Sequence, residues 1–138
     1  MLRPRLIPLA VGMVLSLVSS SCRKSGEEPN LHDRIVAAHT SQYCRLPNAC
    51  ANPHVLAVES GYYVTTFLGS KPQHTQVAVK ELAKYLQALP VQDWPQGPVI
   101  TVSPTDVETD PHAVEQNFYD AQQICRSMGL EVQVRPGG

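Results

Sequence analysis

The chain is poor in charge and in aromatics. Charged residues make up 17% and aromatic residues 6%, with one tryptophan and two phenylalanines. The formal net charge is −1, so no basic surface is available to neutralise a polyanion, which argues against a nucleic-acid partner. Long apolar runs are also missing. The longest, Leu6 to Val18, is broken by Pro8 and Gly12, and it falls short of the roughly 20 helical residues that a bilayer core requires. No GxSxG, HExxH, CxxC, P-loop or GxGxxG motif occurs. The five histidines form no recognisable arrangement with a nucleophile. Nothing in the sequence names a catalytic centre or a cofactor, so the expectation is a non-catalytic binding domain.

Proline is abundant instead. The 12 prolines in 138 residues fall at the ends of predicted elements, not in a low-complexity run. A chain of this length with 43% hydrophobic residues suffices for one domain with a modest core.

At the N-terminus, Arg3 and Arg5 precede the short apolar stretch, the layout of a signal peptide covering residues 1–21. Its removal would leave nine basic against 12 acidic residues, a net charge of −3. The segment ends Leu17-Val18-Ser19-Ser20-Ser21-Cys22. Small residues directly before a cysteine resemble the lipobox of bacterial lipoproteins, although Ser19 stands where that family has an aliphatic residue, with Val18 one position earlier. The resemblance implies that Cys22 carries lipid and becomes the mature N-terminus. It also implies, with Arg23 in place of an aspartate, that the protein is not retained in the inner membrane. The other reading is an ordinary secretory signal cut near Ser21. Residues 22–29 are polar and contain Gly26 and Pro29, the composition of a flexible tether. Two acyl chains meet the requirement for stable anchoring.

Residues 30–53 divide into a short helix, capped by Asn30 and running to about Ser41, and a loop holding Cys44 and Cys50 around Pro47-Asn48. Outside the cytoplasm the simplest state of two such cysteines is a disulfide. A second reading joins them to His39 and His54 as a tetrahedral zinc set, which would make the protein a periplasmic metal-binding protein, though the spacing matches no standard zinc motif.

Residues 54–138 carry the folded domain. Val55 to Val58 and Tyr62 to Phe67 flank Ser60-Gly61 and predict a hairpin. Ser70-Lys71-Pro72-Gln73 matches a capping box opening a helix to Leu89, striped by Val79, Leu82, Leu86 and Leu89. Pro90 ends it, and a breaker-rich loop follows in which Trp94 is expected to anchor on the domain. Val99 to Val102 reads as a buried strand. Asp106, Glu108 and Asp110 alternate as in a calcium loop, but Pro111 and Asn117 stand where such a loop needs glycine and glutamate. They read as the acidic start of a helix, with Asp110 as N-cap and Pro111 in the first turn. Val114, Phe118, Ala121, Cys125 and Met128 form its apolar face, where Cys125 acts as a small buried hydrophobe. Leu130, Val132 and Val134 then alternate with Glu131, Gln133 and Arg135 in the period of a half-buried strand.

The order hairpin, helix, strand, helix, strand gives an α+β fold: a sheet of about four strands with two helices on one face. From Val55 to Val134 that order, with Val99-Ile100-Thr101-Val102 and Met128-Gly129-Leu130-Glu131-Val132, resembles the periplasmic domain of the ExbD and TolR biopolymer-transport family. The resemblance extends to shape only. That family's transmembrane helix bears an aspartate, and residues 6–18 have no acidic residue. Taken together, the sequence predicts a lipid-anchored protein of the bacterial cell envelope, facing the periplasm from the outer membrane, whose domain binds a protein or cell-wall partner. Without lipid on Cys22 it would be secreted.

Overall fold

The computed structural model of the protein describes residues 30–40, 51–68, 71–107 and 110–136. The signal peptide 1–21, the tether 22–29, Cys22, Cys44 and Cys50 lie outside the described residues. Helix α1, Leu31–Ala37, starts as the sequence predicts: the Asn30 side chain accepts from the Asp33 N–H at 2.8 Å. It ends sooner than expected, because His39 turns into the left-handed region at φ 50. Leu31 and Ile35 enter the core.

Strands β1, His54–Val58, and β2, Gly61–Thr66, form the expected hairpin. The two-residue loop is Glu59-Ser60, one position earlier than expected, because Gly61 pairs with Val58. Gly61 has φ 145, and a Cβ there would stand 2.6 Å from the Val77 carbonyl oxygen. Only glycine admits the neighbouring strand so closely.

That neighbour corrects the predicted helix 70–89. Gln73–Val77 is a third strand, β3, followed by a 3-10 turn, Val79–Glu81, and a shorter helix α2, Leu82–Ala88. The capping-box reading rested on Ser70, which lies outside the described residues, and on Gln73, which is the first residue of β3. The apolar stripe began only at Val79, while Thr75 and Val77 are β-branched residues that favour strands. Pairing along the free edge of β2 outweighs a local cap. Among the described residues the sheet therefore has five strands, not about four, and three α-helices accompany it.

Strand β4, Val99–Pro104, helix α3, Pro111–Ser127, and strand β5, Glu131–Val134, follow as predicted. Asp110 caps α3 by accepting from the Ala113 N–H at 3.2 Å, and Pro111 occupies its first turn. Gly129, at φ 82, ends it, and a Cβ there would meet His32 Cβ at 2.8 Å. The last helical turn thus closes against α1.

The strand order is β3-β2-β1-β4-β5, with β1, β4 and β5 parallel to one another and the hairpin pairings antiparallel. Val55, Ala57, Tyr62, Val64, Ile100 and Val102 pack from the sheet onto Leu82 and Leu86 of α2 and Ala121 and Cys125 of α3. Tyr62 donates to the Asn117 carbonyl at 2.9 Å, and the Asn117 amide donates to the Val58 carbonyl at 2.8 Å, fixing α3 over the hairpin. Arg34 donates to the Gln87 carbonyl at the end of α2. Trp94 is fully buried, so the loop after α2 is anchored as expected. Strand β5 departs from its predicted half-burial. Leu130 before it is buried, Val132 is partly covered and Val134 is 47% exposed, because β5 is an edge.

Candidate binding face

In a strand, successive side chains point to opposite faces. The residues interleaved with the core set therefore share the second face, and among the described residues no helix packs on it. Register sets one row straight across all five strands: His74, Thr65, His54, Thr101 and Gln133. Every member is polar. Thr65 Oγ1 and His74 Nδ1 share a hydrogen bond of 2.8 Å, and His54 Nε2 and Ser103 Oγ one of 2.7 Å.

Beside this row a cavity of about 170 Å³ opens, lined by Asn52, His54, Thr101, Gln133 and Arg135, with Phe67 and Val99 as its apolar wall. Asn52 is spent on structure: its amide donates to the Gly97 and Val99 carbonyls at 2.7 Å each, and its oxygen accepts from the Gln96 N–H. The remaining polar groups are donors or donor-acceptors, and no carboxylate lines the cavity among the described residues. Burial, and then the Arg135 guanidinium, lower the His54 pKa below its ordinary 6.5, so the imidazole is neutral at pH 7. The volume is well under the roughly 300 Å³ at which small-molecule pockets begin. It suits one acceptor-bearing group of a larger partner.

The His54–Ser103 contact has the length of a nucleophile–base pair, yet its setting does not fit catalysis. Ser103 is 2% exposed, and among the described residues no group orients His54 Nδ1, the third member such a pair needs.

Of the other residues singled out from sequence, His39 lines a separate cavity with Ile35, Thr40 and Pro98. His54 lies on the open sheet face, and their proposed partners Cys44 and Cys50 are outside the described residues. Among the described residues no three His, Cys, Asp or Glu side chains gather as a metal set. Cys125 is buried on α3, and that burial pushes its thiol up to about 12. Asp110 serves as a cap. Asp93 is buried with Oδ1 unpartnered among the described residues, and burial raises its pKa. No described helix is long and apolar enough to cross a membrane. No family model, curated protein or solved structure matches the chain.

Sequence reasoning missed the row itself. The alternation in β5 sets Gln133 apart from its apolar neighbours, whereas Thr101 reads as part of a buried run, and only the register between distant strands brings both beside His54.

Proposed function

We propose that the protein is a lipid-anchored binding domain of the cell envelope, which holds a protein or cell-wall partner on the helix-free face of its sheet. The observation that carries the binding role is the polar row across five strands with a donor-rich cavity beside it. A sheet face left only to solvent needs no such cavity, and hydrogen-bonding groups without partners favour a ligand that supplies acceptors. The anchor rests on the cysteine after Ser19-Ser20-Ser21 and on the polar tether behind it. With the tether fixed at Cys22, the domain would stand off the membrane with its open face free to meet a partner.

The test is purification of the full chain from its own membranes. Mass spectrometry without reduction is expected to find acylated Cys22 at the N-terminus and Cys44 joined to Cys50. Gln133→Glu together with Thr101→Glu, which place carboxylates in the cavity, are expected to release whatever co-purifies with the native chain. An unmodified N-terminus would remove the anchor. A co-purifying partner retained unchanged by the doubly substituted face would remove the binding site.

A further inference from the structure

Strand β5 is the edge of the sheet, and its bonding to β4 shows which of its backbone groups are spent. Glu131 N–H donates to the Pro98 carbonyl and Arg135 N–H to the Val102 carbonyl. Residues 131, 133 and 135 therefore point their backbone groups inward, and Val132 and Val134 present theirs outward, without a partner among the described residues. The side chains alternate in the same register: Glu131, Gln133 and Arg135 on the open face, Val132 and Val134 on the helix side.

We propose that β5 pairs antiparallel with β5 of a second copy of this chain, about a two-fold axis at Gln133, joining two sheets into one of ten strands. In that register Val132 lies opposite Val134 of the second copy. Both residues direct N–H and C=O outward, so each such pair exchanges two hydrogen bonds. Glu131 then lies opposite Arg135 of the second copy, and Arg135 opposite its Glu131, at the positions where facing side chains approach most closely. Neighbouring registers lose this match. A shift one way sets Glu131 against Gln133 and Arg135 against Gly129. A shift the other way sets Pro136, which has no N–H, against Val132. The contact is isologous and closes at two copies. It covers Val134 and gives Arg135, which has no ion-pair partner among the described residues, a carboxylate. The opposite edge, β3, offers Gln73, His74, Thr75 and Gln76, with no pair of opposite charges to set a register. A membrane tether on each copy would raise their effective concentration. The proposal goes beyond the binding reading and does not depend on it, since the pairing is set by the β5 backbone and the Glu131 and Arg135 charges, although Gln133 and Arg135 also line the cavity on the open face.

The test is cysteine cross-linking of the full chain in membranes, with the native chain as the background. Gln133→Cys places two thiols across the axis and is expected to give a band at twice the chain mass on non-reducing gels, whereas Gln76→Cys on the other edge does not. Arg135→Glu added to Gln133→Cys sets like charges opposite each other twice and is expected to cut that band about tenfold. Adding Glu131→Arg as well restores opposite pairs and the band. Absence of the dimer with Gln133→Cys, an equal dimer with Gln76→Cys, or failure of the charge swap to restore it would each overturn the proposal. A cross-linked product of another mass would assign the edge to a different protein and overturn the choice of a second copy.

Discussion

The two faces of the sheet are built from the same strands and differ only in which alternate residue is read. On the covered face Val55, Val64, Ile100 and Val102 are fully buried beneath α2 and α3. One residue along, His54, Thr65 and Thr101 lie on a face whose hydrogen-bonding capacity is only partly spent within the fold. Stability is therefore concentrated on one side, and the proposed recognition on the other. Substitutions should divide accordingly.

The largest effect is expected from the covered side. Leu86→Ala removes a fully buried side chain and is expected to cost about 2–5 kcal/mol in denaturant unfolding. Thr101→Ala on the open face is expected to cost less than about 0.5 kcal/mol. Comparable losses at the two positions would dissolve the comparison. Next in size is Gly129→Ala, expected to cost about 1–3 kcal/mol because φ 82 and His32 Cβ both oppose a side chain. A thermal melt close to that of the native chain would show that the α3–β5 turn is looser than described. Tyr62→Phe, which deletes the bond to the Asn117 carbonyl, is expected to cost about 1 kcal/mol.

The smallest effect concerns His54, which touches both worlds: its backbone lies in the central strand and its ring on the open face. Its folded pKa lies below 6.5. As pH falls, the unfolded chain takes up the proton first, so this contribution to stability is complete above 6.5 and is lost as pH falls below it toward the folded value. His54→Gln is expected to flatten that part of the stability–pH curve. Unchanged curvature in the variant would place the titration elsewhere.

Much of the fold was legible in the chain because its signals are local. Asn30 and Asp110 cap helices where the sequence placed them, and Gly129 ends α3. The hairpin was legible to within one residue, since only the approach of Val77 to Gly61 decides the loop. Strand β3 was not legible. Gln-His-Thr-Gln-Val carries little hydrophobic pattern, and it becomes a strand by completing the edge of β2. The candidate face was hidden for a related reason. Thr65, Thr101 and Gln133 are unremarkable in their own segments, and their alignment with His54 comes from pairing between residues far apart in sequence.

The proposed recognition surface is the helix-free face of the sheet. The most direct measurement is site-specific photocross-linking of the full chain in its own membranes, with the reactive group placed at Thr101 on the open face or at Gln116 on the outer side of α3. A cross-linked partner is expected from Thr101 and none from Gln116. Capture from Gln116 alone, with Thr101 silent, would place recognition on the helices and contradict it.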